Sequence, residues 1–285
     1  MSTFHKSVLY QEVLEGLNVR PGEAYIDATL GGGGHSQGIL ERGGRVLGID
    51  QDPQALEFVK KHIKSEDLIL EEGNFADIDK IAADRGLLEI SGIVFDLGVS
   101  SYQLNQVSRG FSFRNSAALD MRMSPKLAVT AADLVNGLTD KELYELFYRF
   151  GEERNARRIA RAIVRSRSKD PIKKTDQLAA LIEATVGRGQ KIHPATRVFL
   201  ALRAAVNSEL RNLREALPKS ENLLKTNGRL IVISFHSLED RLVKNFIKES
   251  KNLVEVNKKP VVPSEEEIME NPRARSAKMR VAEKV

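Results

Sequence analysis

The sequence predicts an α/β fold: a parallel, doubly wound sheet with an inserted all-helical domain. Three observations predict it. Short apolar strands alternate with helical patterns over the first third of the chain, as in successive βαβ units. The alternation stops at about residue 105, and only helical patterns and loops follow as far as about 208. A buried strand and two further strands then complete the pattern. The expected domains are residues 1–104 with 209–285, carrying the sheet, and residues 105–208, inserted into it to recognise the substrate.

In order, a lead-in helix, His5 to Leu17, ends near Gly16 and Pro21. Strand one, at about 24–29, runs into Gly31-Gly32-Gly33-Gly34 and a helix at about 35–42. Four glycines leave no side chain between backbone and ligand and adopt positive φ at little steric cost. The helix N-terminus behind them offers unpaired N–H groups. A flexible surface loop is the plain alternative, but the flanks argue against it. Asp27 sits in the strand before the loop. Strand two, Arg45 to Asp50, ends in a second acid about 20 residues after the loop begins, the spacing at which a carboxylate grips the hydroxyls of an adenosine ribose. The dinucleotide fingerprint fails, because its third glycine falls on Ser36 or Gln37. A phosphate-binding P-loop fails too, because Ile39-Leu40 replace Lys-Ser/Thr. A strand acid, a glycine loop and a ribose acid without pyrophosphate signals fit S-adenosylmethionine, whose cationic sulfonium tolerates nearby acids.

Asp52-Pro53 opens the next helix, which runs to about Ile63. Strand three is Leu68 to Glu72, followed by Gly73-Asn74-Phe75 and a helix at about 77–85. Strand four is Gly92 to Asp96. Asp27, Asp50, Phe75 and Asp96 thus fall at or near strand carboxyl ends, where doubly wound sheets bind ligands. After the helical stretch come a helix at about 208–225, a turn at Asn227-Gly228, and a buried strand from Arg229 to Phe235. A helix at about 238–249 precedes two last strands, Leu253 to Val256 and Ala277 to Ala282, separated by an acidic, proline-containing loop.

Composition limits the function classes. Of 285 residues, 41% are hydrophobic and 29% charged, as in an ordinary soluble protein. No apolar run is long enough to span a bilayer, and the N-terminus lacks the plan of a secretion signal, so a cytoplasmic location is expected. There is no cysteine, which excludes disulfides, thiolate metal sites and the cysteine nucleophile of pyrimidine C5 methylation. No His/Asp cluster has convincing ligand spacing, so no metal is expected in the chemical step. The net charge of +5 permits a polyanionic partner.

The clearest helical pattern runs from Glu152 to Arg167. On it Arg154, Arg158, Arg161 and Arg165 lie within about 60° of one another, opposite Ala156, Ile159, Ala160 and Ile163. Residues 149–175 hold ten Lys/Arg against three Asp/Glu, a net of +7 that exceeds the charge of the whole chain. A solvated face with local Glu–Arg pairs explains one such helix. The further basic loop Arg165 to Lys174 favours phosphate contact and hence nucleic acid.

Two stretches concentrate polar residues at strand ends: Asp96 to Gln103, and Ser234 to Arg241. An exocyclic amine of cytosine or adenine is a poor nucleophile, since its lone pair is delocalised into the ring. A carboxylate at Asp96 and nearby loop carbonyls can accept from its N–H groups and aim it at an activated methyl group, and alignment alone is worth powers of ten in rate. Asp96 as a helix cap or in a buried ion pair, His236 as a structural donor and Ser237 with Asp240 as a cap are the structural alternatives. Phe111 and Phe113 are placed to stack on an extruded base or to pack in the core, and Asp120 with Arg122 to form a local ion pair.

Together these motifs resemble one family. Gly31-Gly32-Gly33-Gly34-His35-Ser36, Asp96-Leu97-Gly98-Val99-Ser100-Ser101, Arg109-Gly110-Phe111-Ser112-Phe113, Leu119-Asp120-Met121-Arg122-Met123, Gly151-Glu152-Glu153-Arg154, His193-Pro194-Ala195-Thr196-Arg197, Ser234-Phe235-His236-Ser237-Leu238-Glu239-Asp240-Arg241 and Asn271-Pro272-Arg273-Ala274-Arg275-Ser276 are similar to motifs of the RsmH (formerly MraW) family. Its members are bacterial S-adenosylmethionine-dependent methyltransferases that modify N4 of a cytidine in the decoding region of small-subunit (16S) ribosomal RNA. The resemblance implies a class I, Rossmann-like methyltransferase sheet and cofactor contacts at Gly33, Gly34, His35, Asp50, Phe75, Asp96 and Gln103. It also implies a substrate of ribosomal RNA, most naturally in the assembled subunit, handled by a monomer or homodimer. The chemistry assigns amine alignment to Asp96 with help from His236, and RNA contact to Arg154, Arg158, Arg161 and Arg165. Two other readings stand beside it: an N-methyltransferase acting on protein or a small molecule, and a non-enzymatic RNA-binding assembly factor. A nicotinamide oxidoreductase is more distant, given the failed fingerprint.

Overall fold

The computed structural model describes residues 7–100, 103–104, 106–187 and 192–285. The chain divides into two compact units, residues 1–101 with 210–285 and residues 102–209. The divisions lie within a few residues of the expected 104/105 and 208/209.

The first unit is built on one sheet. Its strands are Ala24–Asp27 (β1), Arg45–Asp50 (β2), Leu68–Glu72 (β3), Ile90–Asp96 (β4), Leu224–Ser234 (β5), Leu253–Glu255 (β6) and Lys278–Lys284 (β7). They lie in the order β3-β2-β1-β4-β5-β7-β6. The first five pair in parallel. The chain moves outward from β1 to β3, then crosses back to place β4 on the other side of β1. The point where strand order reverses is therefore between β1 and β4, the position at which open α/β sheets bind their ligands. Asp27 and Asp96 end those two strands.

Side-chain alternation assigns each face. Ile26, Leu47, Phe95 and Val232 point into one core with Leu213, Leu217 and Val243. Their neighbours Tyr25, Val46, Val94 and Ile231 point into the other with Leu14, Leu17 and Ile39. Residues one apart on a strand thus feed opposite cores, as the pleat requires. Burial on both faces explains why these strands read as nearly continuous apolar runs. The first face is covered by helices Ile78–Asp84, Glu209–Leu223 and Ser237–Glu249, the second by Tyr10–Leu17 and Gly34–Glu41.

The far edge departs from the expected parallel sheet. β7 runs antiparallel between β5 and β6. A parallel return needs a crossover helix laid over a sheet face. The connection from β6 to β7 holds only Glu265–Glu270, a six-residue helix with no buried residue, and a short 3-10 turn. Without a covering helix, the chain doubles back beside its neighbour.

The second unit is helical, as expected. Ala131–Gly137, Asp140–Gly151, Ala156–Arg167, Thr175–Val186 and Thr196–Val206 enclose their own core, which includes Leu143, Phe147, Ile159, Ile163, Leu178 and Leu202. The first two helices start at capping boxes, Thr130 with Asp133 and Thr139 with Glu142. Asp120 and Arg122 form the expected ion pair, with two guanidinium–carboxylate hydrogen bonds of 2.8 Å. Among the described residues, no helix is long and apolar enough to cross a membrane.

Candidate active site

The glycine run forms a tight turn between β1 and the helix Gly34–Glu41. Gly31 and Gly33 take left-handed conformations, φ 50° and 78°, and the Gly33 N–H closes the turn on the Leu30 carbonyl at 2.7 Å. A Cβ on Gly33 would stand 2.8 Å from Ile63 and 2.9 Å from Val59, and one on Gly34 would strike the Ser7 hydroxyl. Packing and φ both demand glycine there. No side chain caps the helix that follows, so its first N–H groups remain available to a polar ligand. Ser100, in the loop after β4, approaches Gly31 closely enough that a Cβ there would lie 3.3 Å away.

Asp50 ends β2 facing this turn. Its carboxylate accepts from the Gly31 N–H at 2.8 Å and from the Asp52 N–H at 2.9 Å. Burial nevertheless pushes its pKa up to about 6, against the pull of those two donors. Each oxygen keeps a further lone pair, so the group can still receive ribose hydroxyls. Phe75 stands after β3, edge-on to Phe95 with ring centroids 5.6 Å apart. Its turn is tied to the Asp50 loop through Asn74, which donates to the Gln51 side chain at 3.3 Å. The turn that carries the Phe75 ring is thus joined to the turn that follows Asp50.

Three further side chains converge where β1 and β4 end. Asp27 is 1% exposed and accepts from the Ser36 hydroxyl at 2.7 Å and the Thr29 N–H at 3.3 Å. Burial raises its pKa despite nearby His35. The Asp96 N–H donates to the Thr29 hydroxyl at 2.6 Å, which fixes the start of the β4 loop against β1. His35 is 3% exposed, and its Nε2 lies 3.6 Å from Asp96 Oδ2. Among the described residues, both His35 ring nitrogens and Asp96 Oδ1 are buried without a hydrogen-bond partner. Buried polar atoms are nearly always satisfied, so this group is free to receive a polar ligand. A cationic, zwitterionic cofactor with an adenosine tail matches the acids, the open helix terminus, the ribose acid and the ring.

The other expected site residues are placed differently. His236 is the N-cap of Ser237–Glu249. Its side chain accepts from the Glu239 N–H, while buried Glu239 reaches back to the Phe235 and His236 N–H groups at 2.9 and 3.3 Å. The cap is therefore His236 with Glu239, not Ser237 with Asp240. Asp240 instead receives a hydrogen bond from Arg280 at 2.7 Å. Gln103 is buried and belongs to the second unit. There the basic helix starts at Ala156, not Glu152, because Glu152 terminates the preceding helix in a left-handed conformation. Arg154 consequently lies in the connecting turn, off the helical stripe. Arg158 donates to the Thr185 carbonyl at 2.7 Å, and Arg161 lies 3.9 Å from Asp140. Both are exposed, as is Arg165. Phe113 is stacked on His193 at 4.5 Å and set edge-on to Phe199 at 4.9 Å, the packing role of its two alternatives.

The MraW methylase family matches residues 2–285. This chain belongs to that family. Its curated relatives agree along their length. A protein of Cyanothece named Ribosomal RNA small subunit methyltransferase H is 51% identical over 99% of this chain and 95% of its own. Relatives of the same name from Deinococcus radiodurans and Carboxydothermus hydrogenoformans are 49% and 46% identical, covering 98% and 100% of this chain and 89% and 99% of theirs.

The contacts that join the glycine turn, Asp50 and Asp96 were not legible in the sequence. Thr29, which anchors Asp96, and Tyr10, whose ring lies parallel to His35 at a centroid distance of 6.3 Å, carry no motif signal of their own. The approach of His35 to Asp96 exists only once β1 and β4 pair.

Proposed function

We propose that this chain transfers the methyl group of S-adenosylmethionine to the exocyclic N4 of a cytidine in the decoding region of small-subunit ribosomal RNA. Membership of a methylase family sets the reaction class, and the names of relatives near half identity suggest the substrate. The observation that carries the reading is the unsatisfied His35–Asp96 group beside a glycine turn with a ribose acid.

The Gly33 and Gly34 backbone and the adjoining N–H of His35 would hold the methionine part of the cofactor. Asp50 would receive the ribose hydroxyls, and Phe75 would lie against the adenine; Asp96 and Gln103 complete the expected set. When bound, the cofactor supplies an activated methyl group. The protein's task is to present the amine. Asp96 Oδ1, buried and unpartnered, is suited to accept from one amine N–H and turn the nitrogen lone pair toward the methyl. Expulsion of water from the site strengthens that hydrogen bond. His236 caps the helix after β5 through Nδ1, and its buried Nε2, without a hydrogen bond among the described residues, would help Asp96 align the amine. The exposed arginines of Ala156–Arg167 would contact phosphates, with Arg154 contributing from the preceding turn. The substrate is the assembled subunit, the enzyme acts as a monomer or homodimer in the cytoplasm, and no metal takes part in the chemical step.

The test uses cofactor labelled in its methyl group. The protein is incubated with small subunits from a strain lacking the gene, and the RNA is digested to nucleosides. Label in N4-methylated cytidine is expected. Label in another nucleoside or in protein would replace the substrate, and no transfer to any subunit component would overturn the reading.

A further inference from the structure

We propose that His35 is the terminal proton acceptor of the methyl transfer, receiving through the Asp96 carboxylate the proton that the target amine gives up. The inference rests on the functional reading above and adds a step to it.

The chemistry requires such an acceptor. As the bond from the amine nitrogen to the methyl carbon forms, the bond from sulfur to that carbon breaks and its electron pair stays on sulfur. The nitrogen is left with one proton too many. That proton passes to Asp96, the group that accepts from the amine N–H, and the next group in line is His35. Its Nε2 lies 3.6 Å from Asp96 Oδ2. A shift of about half an ångström makes this a hydrogen bond, and such contacts are often long before the reactants are in place.

His35 is placed to do this and little else in the fold. It is buried, and among the described residues neither ring nitrogen makes a hydrogen bond, so no hydrogen bond of the fold itself occupies the ring. The groups facing it are Asp96 from the end of β4, Asp27 from β1 and Tyr10 from the first helix. Tyr10 lies parallel to the imidazole, 18° between ring planes, and so sets its orientation without occupying a nitrogen. The neighbouring Ser36 hydroxyl is committed to Asp27. Imidazole is also the side chain that gains and loses a proton in the neutral range.

Electrostatics favours the same assignment. A cofactor held at this end of the sheet would give up its positive charge in the reaction, near the acids Asp27 and Asp96. A proton held on His35 restores one positive charge among those acids at the moment the cofactor loses its own. The charge of this low-dielectric group then stays constant across the step, which lowers the cost of the transition state.

The test is single-turnover transfer at saturating cofactor, from about pH 5 to 9, with calorimetry of cofactor binding in parallel. For wild type the rate should rise with pH through one titration. At saturating cofactor, whatever its affinity by calorimetry, His35→Asn should transfer about 100-fold more slowly and lack the acid limb. His35→Gln provides the same comparison if the asparagine variant does not fold. A wild-type rate independent of pH, or a substituted protein that keeps both rate and limb, overturns the proposal while labelled N4-methylcytidine still forms. If wild type forms none, the functional reading fails and this step with it.

Discussion

Asp50 shows how a single residue links the fold to ligand binding. It accepts two backbone N–H groups, one from Gly31 across the turn and one from Asp52, yet burial sets its pKa near 6. The folded value lies above the ordinary carboxylate value of 3.8, so ionisation of Asp50 works against folding. This destabilisation is absent below about pH 4, develops as pH rises toward 6 and is complete above that. In the proposed reading cofactor reverses the balance, because ribose hydroxyls would donate to the ionised form. Affinity should therefore rise with pH through about 6, and binding near that pH should release a proton. Calorimetry in buffers of different ionisation heat measures the release, and Asp50→Asn should abolish it. Binding without proton release would exclude Asp50 as the ribose acceptor. The residue was legible in sequence because its distance from the glycine run is set by one βαβ unit. The His35–Asp96 approach was not, because the two residues are brought together by pairing of strands distant in sequence.

At the scale of an element, the basic helix tests what periodicity can see. Its buried face, Ala156, Ile159, Ala160 and Ile163, was legible from spacing alone. Its start was not. Glu152 closes the previous helix, and the buried Glu153 carboxylate accepts from the Asn155 N–H at 2.7 Å, shaping a turn that a helical wheel runs straight through. Arg158 hydrogen-bonds a carbonyl near the end of Thr175–Val186, so its removal would also perturb packing. Arg161 and Arg165 are the cleaner probes. Reversing both to Glu should weaken RNA binding and make the slope of log affinity against log salt shallower by about 1.5 to 2, with cofactor affinity unchanged. Titrations at several salt concentrations measure this. An unaltered slope would place the RNA on another surface of the protein.

Across the whole molecule, the division of labour was visible in the order of patterns: alternating strands and helices, a helical interval, then strands again. Apolar runs in β1, β2, β4 and β5 announced a sheet covered on both faces. The antiparallel return of β7 was hidden, since strand direction depends on whether a helix crosses the sheet, and the acidic loop before β7 resembles such a helix only in its length. The sheet's reversal point then explains why the site lies where it does. β1 and β4 run side by side there, and the glycine turn, Asp27 and Asp96 collect at the ends of those two strands.

The central claim is that Asp96 aims the amine rather than merely supporting the cofactor pocket. The most direct measurement is single-turnover methyl transfer by Asp96→Ala, with cofactor affinity determined on the same protein. The account predicts a transfer rate at saturating cofactor lower by about 100-fold or more, beyond any loss of cofactor affinity. An Asp96→Ala protein that binds cofactor and methylates cytidine at the wild-type rate would contradict it.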